Sequence, residues 1–88
     1  MKNISVIGSG QMGNGIAHVF AQNGFKVTMI DIRQEALDKA LQTISANLDR
    51  QVAKALITEE VKQQTLANIQ VNTSLKDGVA AAELVVEA

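Results

Sequence analysis

Residues Ile4-Ser5-Val6-Ile7-Gly8-Ser9-Gly10-Gln11-Met12-Gly13-Asn14-Gly15-Ile16-Ala17 decide how this chain is read. A short apolar run breaks off into glycines at positions 8, 10 and 13, and an amphipathic stretch follows at once. Asp31 stands eighteen residues after the last of these glycines. A strand, a glycine-rich turn, a helix and a distant acid make the pattern that holds a dinucleotide pyrophosphate at a helix N-terminus. Gly8 suits the tight turn out of the strand. Gly10, without a Cβ, lets backbone approach a phosphate. Gly13 lets the helix pack closely on the sheet. Gly15 suggests further close packing. Asp31, placed at the end of a second strand, suits an adenosine ribose and repels a 2′-phosphate, which favours NAD over NADP. Arg33 is the counter-argument, because an arginine there accommodates that phosphate. The competing account makes the glycines mere turn residues and Asp31 a strand-end acid.

The flanking pattern places these residues. The first strand is read over residues 2–7 and the first helix over 11–23, with Met12, Ile16, Val19 and Phe20 at helical spacing. Gly24 falls where a left-handed cap is expected. Residues 26–32 are β-rich and form the second strand. Leu37, Leu41, Ile44, Leu48 and Val52 then mark one stripe of a helix over about 34–55. That stripe reads as core and arm packing, with a seam for a partner helix as the alternative. Thr58 with Glu59 and Glu60 opens a second helix to about Asn68: a hydroxyl cap and acids that compensate the helix dipole, not a catalytic carboxylate pair. Residues 69–71 form a third strand. Thr73 or Ser74 caps a helical segment through Ala82, and residues 84–86 form a fourth strand. The order βαβααβαβ predicts an α/β fold with a parallel sheet. The long connection between the second and third strands predicts a helical arm over about 34–68.

Composition narrows the function further. The 88 residues carry a formal net charge of −1, without the basic stripe of a nucleic-acid binder. Phe20 and Phe25 are the only aromatic residues, and cysteine is absent, so neither a disulfide framework nor a thiolate metal site is available. No segment is long and apolar enough for a membrane span or a signal peptide, and a cytoplasmic location is expected. His18, the single histidine, reads as a surface or packing residue, and no metal site is expected. Lys2, Lys39, Lys62 and Lys76 are scattered and read as solvated.

The glycine run, the Val27-Thr28-Met29-Ile30-Asp31 strand end, Leu48-Asp49-Arg50, Ile57-Thr58-Glu59-Glu60 and the final Leu84-Val85-Val86-Glu87-Ala88 together resemble the N-terminal part of (S)-3-hydroxyacyl-CoA dehydrogenases. Bacterial 3-hydroxybutyryl-CoA dehydrogenases are the nearest in pattern. The resemblance covers the whole chain and less than half of the family's length. It implies an incomplete Rossmann-like domain with a helical hairpin between its second and third strands. It implies NAD contacts at Gly8, Gly10, Gln11, Met12, Gly13, Asp31, Ile32, Arg33 and Ala88. It implies an acyl-CoA contact at Lys54, and one at Asn47, where some members place a serine. The family transfers a hydride reversibly between NAD and C3 of an acyl-CoA thioester, with a histidine held by a glutamate moving the proton. Those catalytic residues, and the substrate and dimerisation helices of a homodimer, are expected beyond Ala88. Two alternatives stay open: a nucleotide-binding module without chemistry, and a dehydrogenase of a small 3-hydroxy acid.

Overall fold

A computed structural model describes residues 2–88. Eight elements follow the expected order: β1 (Asn3–Ile7), α1 (Gln11–Gln22), β2 (Lys26–Ile30), α2 (Gln34–Ala53), α3 (Glu59–Ala67), β3 (Ile69–Asn72), α4 (Leu75–Val79) and β4 (Leu84–Glu87). The strands form one sheet in the order β3-β2-β1-β4. Every pairing is parallel, with Val6 opposite both Met29 of β2 and Val86 of β4.

Alternation along the strands sorts the two faces of the sheet. Ile4, Val6, Val27, Met29 and Ile69 point to one face. There they join Ala17 and Ala21 of α1 and Leu37, Ala40, Ile44 and Leu48 of α2 in a single buried cluster. Leu37, Ile44 and Leu48 of the expected α2 stripe are therefore core of this chain, with Leu41 packed against it. The opposite face carries α4, where the Ser5 hydroxyl donates to the Gly78 carbonyl at 2.6 Å. Gly78 lies so close to Ile30 that a Cβ there would come within 2.5 Å of its side chain.

Local signals end the elements. Gly24 closes α1 with φ +92°. Thr58 caps α3 by accepting from the Val61 N–H at 3.2 Å, and Ser74 caps α4 by accepting from the Asp77 N–H at 3.3 Å. At twenty residues, α2 is about 30 Å long. A strand of five residues spans about 17 Å, so the α2–α3 hairpin projects past the sheet. Its tip, residues 53–56 and 58–60, is exposed. Lys62 ties the hairpin together by an ion pair to Asp49, with Glu59 at 3.8 Å.

Several expectations need correction. β2 stops at Ile30, so Asp31 lies just past the strand. Residues 80–82 are not helical: α4 ends at Val79, and a turn over Ala80 and Ala81 follows it. Met12 and Val19 are 68% and 60% exposed, since small residues and His18 form the buried stripe of α1. Lys62 is a mostly buried pairing residue and not a solvated one. Gly15 packs against nothing within 4 Å, whereas a Cβ on Gly13 would stand 1.9 Å from the Gly8 carbonyl oxygen.

The two helical glycines therefore respond oppositely to the same change. Gly13→Ala should destabilise by about 3 kcal/mol through a clash with fixed backbone. Gly15→Ala should stabilise by about 0.5–1 kcal/mol through helix propensity. Urea denaturation of both variants checks the pair. Equal effects at the two positions would contradict this account of α1 packing.

Candidate functional site

From β1 the chain steps outward to β2 and β3, then returns through α4 to place β4 on the other side of β1. The order in which strands are added thus reverses between β1 and β4, while every strand stays parallel. In open parallel sheets the crevice beyond the carboxyl ends of two such strands is where ligands bind. Gly8 follows β1 there with φ +97°, and a Cβ on it would lie 3.2 Å from the carbonyl oxygen of Ala88, which follows β4.

The first turn of α1 faces this crevice. Its N-cap is Gly10, which has no side chain to bond the leading N–H groups, and no acid lies in the first turn. That leaves partial positive charge and backbone donors at an exposed point, a setting that favours an anion. A Cβ on Gly10 would meet no atom within 4 Å, so its bare side opens onto free space and not onto protein. A phosphate can approach the backbone from that side.

Beside the turn runs a first groove of about 570 Å³, lined by Ser9, Gly10, Gln11, Asp31, Arg33 and Lys39, among others. Asp31 sits on it with its carboxylate held at both oxygens. Oδ2 accepts from the Ser9 hydroxyl at 2.9 Å and from the Ser9 N–H at 3.3 Å. Oδ1 accepts from the Arg33 N–H at 3.1 Å. The Arg33 N–H bond, then the Ser9 hydroxyl, hold the Asp31 carboxyl below its usual 3.8 against the opposing effect of burial. An ionised carboxylate has about four acceptor positions, so three bonds leave capacity for a ribose hydroxyl.

The groove brings together Gly10, Gln11, Asp31 and Arg33 of the expected set. Gly8 and Gly13 lie beneath the turn, and Ala88 borders Gly8. Met12 and Ile32 project into solvent, Ile32 at 86% exposure. Lys54 and Asn47 lie elsewhere, in a second groove of about 420 Å³ between α1 and the end of α2. Gly15, His18, Val19, Gln22, Arg50, Gln51 and Leu56 complete its lining, which holds no acid. The Asn47 carbonyl oxygen accepts from Arg50, and His18 Nε2 lies 2.7 Å from Gln22 Oε1. His18 is thus a buried packing residue away from the crevice. Ser9 is the site residue that sequence reasoning missed. It stands between two glycines with no signal of its own, and only the folded turn brings it to Asp31. Among the described residues no cluster of His, Cys, Asp and Glu could hold a metal, and no helix is long and apolar enough to cross a membrane.

Comparison with known proteins agrees with this geometry. Residues 3–88 match the family described as 3-hydroxyacyl-CoA dehydrogenase, NAD binding domain. The chain belongs to this family. A 3-hydroxybutyryl-CoA dehydrogenase of Bradyrhizobium diazoefficiens is 46% identical over 87 residues, which are 99% of this chain and 29% of that protein. The crystal structure of the (S)-3-hydroxybutyryl-CoA dehydrogenase of Ralstonia eutropha superposes with a TM-score of 0.96 at 39% identity, covering all of this chain and 31% of that one. A diketoreductase described as acting on dicarbonyl compounds superposes at 0.83 with 35% identity, covering all of this chain and 31% of its own. The chain thus spans less than a third of the length of these relatives. It is a Rossmann-like NAD-binding domain of 3-hydroxyacyl-CoA dehydrogenase type.

The lowered pKa of Asp31 has a definite sign. Its bonds to Ser9 and Arg33 favour the folded state when the carboxylate is ionised, above the unfolded value of 3.8. That contribution is lost as pH falls through the lower folded value. The stability gap between the unmodified chain and Asp31→Asn should be full well above 3.8 and should close as pH falls below it, through the lower folded value. Urea denaturation across that range measures it, and a gap independent of pH would contradict the assignment.

Proposed function

We propose that the first groove and the α1 N-terminus bind NAD through the residues set out above. Gly8, Gly10, Gln11, Met12 and Gly13 present the turn to the pyrophosphate. Asp31, Ile32 and Arg33 border the adenosine side, and Ala88 lies on the nicotinamide side of the crevice. The observation that carries this reading is the ionised Asp31 fixed beside an uncapped helix start at the reversal of strand order. When bound, NAD supplies the hydride acceptor, and the residues of this chain bind and orient it.

The domain serves the reversible oxidation of an (S)-3-hydroxyacyl-CoA to the 3-oxoacyl-CoA. Hydride leaves C3 for NAD, and the hydroxyl proton goes to a base. His18, the one histidine in the sequence, is buried beside Gln22 and cannot act as that base. This chain therefore contributes cofactor binding, and proton transfer belongs to residues outside it. The second groove takes the CoA portion. Its cations Arg50 and Lys54 form no ion pair among the described residues, where Lys62 pairs with Asp49 and Glu59. A small dicarbonyl substrate without CoA is the second reading. The diketoreductase neighbour favours it, and the acid-free cationic groove favours the thioester.

Calorimetric titration separates these statements. NAD should bind and Asp31→Ala should weaken it about tenfold, the loss of one charged hydrogen bond. CoA should also bind. Lys54→Ala should weaken CoA by about threefold to fivefold and leave NAD unchanged, as expected for a solvent-exposed charge pair. CoA affinity indifferent to Lys54 would shift the choice to the smaller substrate.

A further inference from the structure

We propose that Ser9 sets the preference for NAD over NADP by fixing the Asp31 carboxylate on the rim of the first groove. The inference rests on the reading of that groove as the adenosine side of the NAD site. The charge balance of the groove makes it necessary. Arg33 and Lys39 line it, opposed by Asp31 and Glu35. The guanidinium of Arg33 forms no ion pair among the described residues, and its backbone rather than its side chain bonds Asp31. On composition alone, two cations beside a ribose pocket would welcome the extra phosphate of NADP, which carries close to two negative charges at neutral pH. The groove rejects it only if the Asp31 carboxylate cannot turn aside.

Ser9 is what prevents the turn. Ser9 is 4% exposed, and its single O–H proton is committed to Asp31 Oδ2 and is not available to a ligand. The same residue donates its N–H to the same oxygen, which closes a two-point hold from the glycine turn onto the β2 end. The Arg33 N–H holds the other oxygen from the far side. Removing the hydroxyl takes away the shortest of the three bonds and leaves the 3.3 Å and 3.1 Å contacts. The carboxylate can then rotate away from the 2′ position, and Arg33 is placed to pair with a phosphate there. Ser9 is thus a positioning residue, acting through Asp31.

Titration of NAD and NADP by calorimetry, without substrate, tests this on the unmodified chain, Ser9→Ala and Ser9→Ala/Arg33→Gln. The ratio of NAD to NADP affinity should fall about tenfold in Ser9→Ala, chiefly by tighter NADP binding. Arg33→Gln should cancel that gain. In the unliganded protein, carbon NMR titration of the Asp31 carboxyl should show its pKa rising toward the unperturbed value in Ser9→Ala. Ser9→Gly, which keeps the N–H donor, serves if the alanine variant does not fold. A chain that binds NAD with a ratio unchanged by loss of the hydroxyl overturns the inference alone. So does equal weakening of both cofactors. A chain that binds neither cofactor overturns the reading of the groove, and this inference with it.

Discussion

The contact between Gly13 and the Gly8 carbonyl is the constraint on which the rest of this structure depends. A Cβ at Gly13 would sit 1.9 Å from that oxygen, so the helix start can lie directly on the end of β1 only because the side chain is missing. This closeness gives α1 its direction. It puts the first turn at the crevice between β1 and β4, and it sets Ala17 and Ala21 against the strands. A larger residue would push the helix outward and lift the N–H groups away from the crevice. The same displacement would open the core that Leu37, Ile44 and Leu48 of α2 close from outside. Packing and binding geometry are here two results of one missing methyl group.

α1 also divides the two grooves. The glycine turn opens into one at its N-terminal end, and Gly15, His18, Val19 and Gln22 line the other along its length. The projection of α2 beyond the sheet makes the second groove possible. A crossover just long enough to join β2 to β3 would end before Arg50 and Lys54. The Lys62–Asp49 pair ties the two helices together near the tip, and the Thr58 cap starts α3 there. Ion pairs near a surface contribute little singly, so these fix direction more than they add stability. Leu66 of α3, with Ile57 just before that helix, packs against the core on the inner side, where Thr65 is also buried.

Much of this was legible in the sequence because the signals are local. Element order follows from alternation of apolar runs and helical stripes, and the α3 and α4 caps follow from the hydroxyls at Thr58 and Ser74 before helical turns. The glycine spacing located the helix start. Errors arose where a residue type has two physical uses. Met12 and Val19 have helical spacing, yet Gly13, Ala17 and Ala21 form the close face, because tight packing on a sheet favours small side chains over large ones. Gly15 looked like a packing glycine and faces open space. Ser9 was invisible for a different reason. Its partner is 22 positions away and meets it only through the folding of β1 beside β2. A pairing between one turn residue and one strand-end acid leaves no periodicity to read.

The helix termini show where local stability has been given up. α3 and α4 begin with hydroxyl caps, and α2 has Glu35 in its first turn. α1, the helix at the centre of the core, has neither device. Replacing a good cap by a residue with no side chain costs a few tenths of a kcal/mol, and omitting a first-turn acid costs about as much again. A chain free of other demands would recover that with an aspartate at position 10 or 11. Such an acid would place a fixed negative charge where the proposed NAD site needs to receive an anion. On the proposed reading, the uncapped start is a binding site left open at some expense to the folded state, and a ligand bound there would return stability that grows with its concentration over its Kd.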